Sequence, residues 1–260
     1  MTVPQPLAGK GIVVTRPAHQ AEGLASLIRS AGGNAILYPV IEIADVADGR
    51  PLQARIDRLA EFDIAIFISP NAVDKAMRLV IAARGAVPPH LAIAAIGAGG
   101  VRALARFGVG NVIAPAGRSD SEALLEMLPL GHVGGKRVII FRGEGGRELL
   151  GDALRARGAL VEYAECYRRV RPAAAPVELL DAWRRGALDA VTVTSSEGLA
   201  NLIEMTGGEG RRQLMSTPLF VPHPRIAQAA RDRAVATVIV TGPGDEGIVE
   251  GLSSYFSARR

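Results

Sequence analysis

Two similar α/β lobes, each a doubly wound parallel sheet of the flavodoxin or Rossmann type, are what this sequence predicts, on three observations. Short apolar runs alternate with helix-length amphipathic stretches along the whole chain, the pattern of parallel strands joined by right-handed helical crossovers. Hydrophobic residues make up 48% of the 260 and aromatics only 4%, so the core is mostly Ala, Val, Leu and Ile, which suits buried parallel strands covered by helices. The chain also repeats itself: Gly9-Lys10-Gly11-Ile12-Val13-Val14-Thr15-Arg16 returns 126 residues later as Gly135-Lys136-Arg137-Val138-Ile139-Ile140-Phe141-Arg142. The same shift pairs Leu24 with Leu150, Gly32 with Gly158, Asp63 with Asp189, Ser69 with Ser195, and Val112-Ile113 with Val238-Ile239. Solenoid repeats are a few tens of residues long, so this period marks a duplicated domain. Two similar lobes facing each other leave a cleft, and function is expected there.

The elements follow in order. A strand is predicted over 12–15, and a helix over 20–31, with Leu24, Leu27, Ile28 and Ala31 on one face and Gly32-Gly33 as its stop. Strands follow at 35–38, 64–68, 92–96 and 112–114, and helices near 70–84, 98–107 and 120–128. The second copy repeats the series, with strands at 138–141, 161–164, 190–194, 219–221 and 237–240. Its helices lie near 146–157, 177–185, 196–205, 225–233 and 246–256.

Composition excludes several classes. The single Cys166 leaves no internal disulfide and no cysteine-based metal site. Met1-Thr2-Val3-Pro4-Gln5-Pro6 contains no apolar run, so no signal peptide is visible, and runs such as Ala92-Ile93-Ala94-Ala95-Ile96 are too short to span a bilayer. A cytoplasmic protein is expected. The net charge of +4 comes from scattered residues; Arg184-Arg185, Arg211-Arg212 and Arg259-Arg260 are pairs, not a dense basic stripe. The surplus fits an anionic small ligand better than nucleic acid.

In sheets of this type ligands bind beyond the carboxyl ends of the strands. Those ends are rich in turn-forming residues: Thr15-Arg16-Pro17, Ser69-Pro70-Asn71, Gly97-Ala98-Gly99-Gly100 and Ala116-Gly117-Arg118-Ser119 in the first copy. In the second they are Arg142-Gly143-Glu144-Gly145-Gly146-Arg147, Thr194-Ser195-Ser196, His223-Pro224-Arg225 and Thr241-Gly242-Pro243-Gly244. Several open a helix, where free N–H groups and the helix dipole suit carboxylates or phosphates; each taken singly also reads as an ordinary helix cap.

The familiar catalytic signatures fail. Gly242-Pro243-Gly244-Asp245-Glu246-Gly247 matches the dinucleotide fingerprint in letters, but no strand with a ribose-binding acid follows, and Asp245 and Glu246 would repel a pyrophosphate. Arg102 and Glu148 replace the third glycine at the loops beginning Gly97 and Gly143. There is no phosphate-binding loop and no nucleophile elbow. His19, His90, His132 and His223 have no metal-ligand spacing. No cofactor and no metal are expected, and either the chemistry asks little of side chains or there is none.

Taken together, Val13-Val14-Thr15-Arg16-Pro17, Phe67-Ile68-Ser69-Pro70-Asn71-Ala72-Val73, Ala95-Ile96-Gly97, Ile140-Phe141-Arg142-Gly143-Glu144-Gly145-Gly146-Arg147, Glu165-Cys166-Tyr167-Arg168-Arg169, Thr194-Ser195-Ser196 and His223-Pro224-Arg225-Ile226-Ala227 resemble the uroporphyrinogen-III synthase family, in the family's order and over nearly the whole chain. The resemblance implies that the first β-α-β segment joins the C-terminal half. One lobe would be residues 1–38 with 171–260 and the inserted lobe 43–165. Residues 39–42 and 166–170 would connect them as a two-stranded β-ladder.

The reaction implied is closure of the linear tetrapyrrole hydroxymethylbilane to uroporphyrinogen III, in tetrapyrrole and haem biosynthesis. Loss of the hydroxyl leaves an azafulvene cation, the far pyrrole attacks through its substituted carbon, and a spiro intermediate breaks and rejoins with the last ring inverted. Water is the other product. The substrate closes unaided to the uninverted isomer, so the enzyme's task is mainly orientation. Its eight carboxylates suit the basic balance and the N–H-rich loops.

By resemblance, Tyr167 assists departure of the hydroxyl, its own hydroxyl presented to the cleft; the competing reading is a structural tyrosine of the ladder. Its repeat counterpart is Ile41. Arg16 and Arg142 stand at equivalent strand ends, as carboxylate contacts or as partners of helix ends or of the other lobe. Ser69, Asn71, Ser195 and Ser196 are expected to bind acetate or propionate groups, with Gly97, Gly143 and Arg225 in the same loops. Relatives often carry a Thr-Ala pair where this chain has Gly100-Val101 and Ile226-Ala227, so backbone groups must serve there. A monomer is expected, open to transient contact with the preceding pathway enzyme, without nucleic-acid or membrane partners. Two other readings share the fold: a non-catalytic two-lobed binding protein for an anionic metabolite, and a nucleotide-dependent enzyme using one glycine-rich loop.

Overall fold

The computed structural model describes residues 5–116, 120–127, 133–146 and 148–259. The loop residues Gly117, Arg118 and Ser119, position 128 at the end of the helix expected over 120–128, His132, Arg147 and Arg260 lie outside the described residues. Two compact units emerge, Met1–Glu42 with Val170–Arg260, and Ile43–Arg169.

The first unit holds a five-stranded parallel sheet of β1 (Gly11–Val14), β2 (Asn34–Leu37), β9 (Ala190–Thr192), β10 (Leu219–Val221) and β11 (Val238–Val240), in the order β11-β10-β9-β1-β2. Around it lie α1 (Ala18–Ser30), α7 (Val177–Arg184), α8 (Ser196–Ser216), α9 (Pro224–Arg231) and α10 (Gly244–Ser257). Ile12 and Val14 point to one face and pack with Leu24 and Ile28 of α1 and Ile248 and Leu252 of α10, as the period-two alternation of a strand requires. Gly11 is dictated by crowding: a Cβ there would lie 1.9 Å from the carbonyl oxygen of Ala187.

The second unit holds a six-stranded sheet of β3 (Glu42–Ala44), β4 (Ile64–Phe67), β5 (Ala92–Ala95), β6 (Val112–Ile113), β7 (Arg137–Gly143) and β8 (Leu160–Val170), in the order β3-β8-β7-β4-β5-β6. Its helices are α2 (Arg50–Asp57), α3 (Pro70–Arg84), α4 (Ala98–Ala105), α5 (Ser121–Met127) and α6 (Leu149–Ala156). Ala65, Phe67, Ile139 and Phe141 face a core shared with α2, α3 and α4. Ile66, Val138 and Ile140 face the opposite core with α5 and α6. Phe67 and Phe141 stack across neighbouring strands at 4.8 Å.

Under the 126-residue shift β1 corresponds to β7, β2 to β8, β4 to β9, β5 to β10 and β6 to β11. The two sheets therefore share one strand order, and each is built from both copies: β1 and β2 sit beside β9, while β7 sits beside β4.

The expected strands all form, most with ends displaced by one or two residues, while β8 runs six residues further, to Val170. Other elements go beyond the sequence reading. Residues 42–44 form β3, and 50–57 form α2, which buries only Leu52 and Ile56 and so gives a weak periodic signal; a 3-10 turn, Leu59–Glu61, follows. The helix expected over 196–205 continues to Ser216 through a kink at Gly207, whose φ of 63° lies outside the helical region. Among the described residues no helix is long and apolar enough to cross a membrane.

Candidate functional site

In the second unit the carboxyl ends of β4, β5 and β7 gather the expected residues. Ser69 caps α3: its Oγ accepts the N–H of Ala72 at 3.1 Å. Gly97 stands at the corresponding N-cap of α4. Pro70, Gly97, Gly99 and Gly100 line, with Ser69, a pocket of about 230 Å³. Asn71 follows in the first turn of α3.

Tyr167 reaches this site through a β-bulge. Strands β7 and β8 pair residue for residue up to Arg142 with Glu165, after which Gly143 pairs with Tyr167 and Cys166 is the extra residue. One inserted residue reverses the alternation of side chains. Cys166 and Tyr167 therefore both face the core that contains Phe67 and Phe141. Tyr167 is 1% exposed, and its Oη lies 3.0 Å from Ser69 Oγ. The ring lies against Gly143, where a Cβ would stand 2.7 Å from Tyr167 Cε2, and the carbonyl of Tyr167 accepts the N–H of Glu144 at 2.8 Å. The hydroxyl is turned onto a serine.

Arg142 is engaged by partners within its own unit. It is 7% exposed; Nη1 donates to the carbonyl of Gly146 at 2.9 Å and Nη2 to Glu165 at 3.2 Å. Its guanidinium lies over the Tyr163 ring at 4.0 Å. The adjacent pocket is lined by Arg142 and Arg55 but also by Asp48, Glu144 and Glu165, three carboxylates that disfavour an anionic guest. Arg142 thus ties the turn after β7 to β8.

In the first unit, Ser195 caps α8 as Ser69 caps α3, accepting the N–H of Gly198 at 2.9 Å. Ser196 opens that helix. The positions matching the approach to Tyr167 hold Val40 and Ile41 in place of a phenol, and their methyls face Gly198. Arg16 is ion-paired with Asp245 in the first turn of α10. His223, at the repeat position of Gly97, caps α9 by accepting the N–H of Arg225 at Nδ1, 3.0 Å away, and the Arg225 side chain is exposed.

One group at a strand end escaped the sequence reading. Tyr38, just after β2, is buried, and its Oη has no hydrogen-bond partner among the described residues; burial pushes its pKa up. Its one sequence signal is a tyrosine at the carboxyl end of a strand. Burial also pushes the Cys166 thiol up to about 12, so it is an inert core residue.

A family model described as Uroporphyrinogen-III synthase HemD matches residues 22–250. The chain is 36% identical over 228 residues to a uroporphyrinogen-III synthase of Salmonella typhimurium, covering 85% of this chain and 90% of that one. It is 34% identical over 222 residues to that of Escherichia coli, with the same coverage. Among solved structures, a mutant uroporphyrinogen III synthase of Thermus thermophilus superposes with a TM-score of 0.62 at 19% identity, covering 96% of this chain and 100% of that chain. A uroporphyrinogen-III synthetase of Helicobacter pylori gives 0.58 at 13% identity, covering 95% and 99%. At these identities the structural likeness concerns the fold alone.

Proposed function

Since this chain belongs to the uroporphyrinogen-III synthase family, we infer that the strand ends described above hold hydroxymethylbilane while it closes to uroporphyrinogen III. The match over residues 22–250 carries the reaction. The 3.0 Å pairing of Tyr167 with Ser69 carries the site. A basic chain whose helices begin at serine caps and glycine turns offers N–H donors to many carboxylates at once. Holding the two ends of a reactive linear substrate together supplies most of the acceleration, since orientation alone is worth several orders of magnitude.

The roles divide by unit. In the second, the hydroxyls of Tyr167 and Ser69 promote departure of the substrate hydroxyl, and the first turns of α3 and α4, with Asn71 and Gly97, receive a ring's side-chain carboxylates. In the first, Ser195, Ser196 and the Arg225 loop receive others, and Arg16 is available once a carboxylate displaces Asp245. Gly143 contributes room for Tyr167. We read residues 1–38 with 171–260 and residues 43–165 as the two lobes, with 39–42 and 166–170 connecting them; the sharing of each sheet between both copies supports this division. The enzyme acts as a monomer in the cytoplasm.

The test supplies the protein with freshly made hydroxymethylbilane and separates the porphyrin isomers after oxidation. Type III product without added nucleotide or metal is expected. Type I product alone, at the spontaneous rate, overturns the assignment.

A further inference from the structure

We propose that Ser69, not Tyr167, is the group that meets the substrate, and that Tyr167 acts through it as the rear member of a two-hydroxyl relay. This rests on the synthase reading and deepens it.

Hydrogen-bond bookkeeping sets the direction of the relay. A hydroxyl has one proton to give and two lone pairs. Ser69 Oγ spends one lone pair on the N–H of Ala72. Between Ser69 and Tyr167 a single hydrogen bond is shared, so the pair keeps one uncommitted proton. If Ser69 donated, that proton would sit on Tyr167, inside the core. A buried donor left without a partner forfeits the hydrogen bond that water would have given it. If Tyr167 donates, the free proton sits on Ser69, which is partly exposed and lines the pocket of about 230 Å³ with Gly97 and Gly99. Tyr167 does not line that pocket. Burial therefore orients the chain Tyr167 O–H to Ser69 O–H to pocket.

The chemical step balances. The C–O bond of the hydroxymethyl group breaks with its electron pair going to oxygen, while the pyrrole nitrogen lone pair forms the azafulvene. Ser69 transfers its proton to the departing oxygen, giving water, and takes the Tyr167 proton in the same motion. The residual negative charge then rests on a phenolate, whose ring delocalises it, and not on a localised alkoxide. When the terminal pyrrole restores its aromaticity after ring closure, its α-carbon loses a proton, which returns along the same path. Substrate has lost H and OH, and the enzyme is regenerated. Ser195 has the same cap but Val40 and Ile41 beside it, so it binds without relaying, which places the acid in the second unit.

Single-turnover formation of type III product is measured for wild type, Ser69→Ala, Ser69→Thr, Tyr167→Phe and the double variant Ser69→Ala/Tyr167→Phe. A relay predicts that Ser69→Ala and Tyr167→Phe each lose about 10²-fold. The double variant is then no slower than Ser69→Ala, because members of one unit are not additive, and Ser69→Thr, which keeps hydroxyl and cap, restores most of the rate. The wild-type rate in mixtures of light and heavy water curves with deuterium fraction, as two protons in flight require. Tyr167 contacting substrate by itself would instead leave Ser69→Ala near wild type, or make the two losses multiply. A linear isotope dependence also overturns the relay, and it decides the matter if Ser69→Ala does not fold. Wild type yielding type I alone would remove the synthase reading, whereas type III with any of these contrary results removes only the relay.

Discussion

Asp189 holds Lys10 at 2.8 Å and accepts the N–H of Gly11 at 2.9 Å, and Asp63 holds Lys136 at 3.0 Å and accepts the N–H of Arg137 at 2.8 Å. The second set is the first displaced by 126 residues. In each, the aspartate comes from one copy and its lysine from the other. The repeated contact is thus the clasp by which β1 and β7 each join the other copy's strands, at the amino ends of the sheets and far along the strand from the serine caps.

Removing either clasp should therefore cost stability and spare chemistry. Asp63→Asn and Asp189→Asn are each expected to lower unfolding free energy by about 1 kcal/mol, since these carboxylates are partly exposed. Denaturant titration reads this directly. The pH dependence has a definite sign for Asp63, whose pKa is held below the usual carboxylate range by the N–H of Arg137 first and then by Lys136. Its contribution is fully present above the unfolded value, near 4, and is lost as pH falls through the lower folded value. Asp63→Asn should flatten stability against pH in that acid window; an unchanged acid limb would refute the assignment.

The repeat made the strand positions readable but not the partner of each strand. Segments related by duplication fit either copy, and a fixed shift cannot say whether β4 joins β1 or β7. The site was legible in part for a similar reason. Ser69 and Ser195 announce themselves as caps by their place before helices, and both form them. The aim of Tyr167 depends on one unpaired residue, Cys166, which reverses the alternation and leaves no mark in hydrophobic pattern. The fates of Arg16 and Arg142 depend on Asp245, Glu165 and Tyr163, partners distant in sequence. Residues 50–57 were recoverable in principle, because the 126-residue shift maps them onto the region of α7.

Arg16 yields a prediction about substrate affinity. Its ion pair with Asp245 occupies the charge that a substrate carboxylate would use, so the two compete. Asp245→Asn keeps the size of the side chain and removes the competitor. KM should fall about fivefold, equivalent to roughly 1 kcal/mol, with kcat little changed. A raised KM would mean that Asp245 holds Arg16 in its productive position.

Cys166 gives a test of the bulge without any substrate. Its thiol is buried and pushed up to about 12, so at about pH 8 almost none is thiolate. Alkylation by iodoacetamide should track unfolding, with negligible labelling of native protein over hours and full labelling in denaturant. Rapid labelling of folded protein would show that residue 166 lies on an accessible face and that the pairing after Arg142 is different.

Gly143→Ala links the bulge to catalysis. The added methyl would stand 2.7 Å from Cε2 and 2.8 Å from Cζ of Tyr167, closer than carbon atoms tolerate, so the ring must move. The partner strand is fixed by the hydrogen bond from Glu144 N–H to the Tyr167 carbonyl, which leaves the ring to swing about its own side-chain bonds. Such a swing draws Oη away from Ser69 Oγ, now 3.0 Å distant. A displacement of about 1 Å in a catalytic group costs on the order of 10²-fold in rate. Gly143→Ala is therefore expected to fold, to keep KM within a few fold, and to lose about 10²-fold in kcat for type III product. Combining it with Tyr167→Phe should add little further loss, because the methyl acts only by moving the phenol. A multiplied loss would show that Gly143 serves the reaction by some route other than the tyrosine.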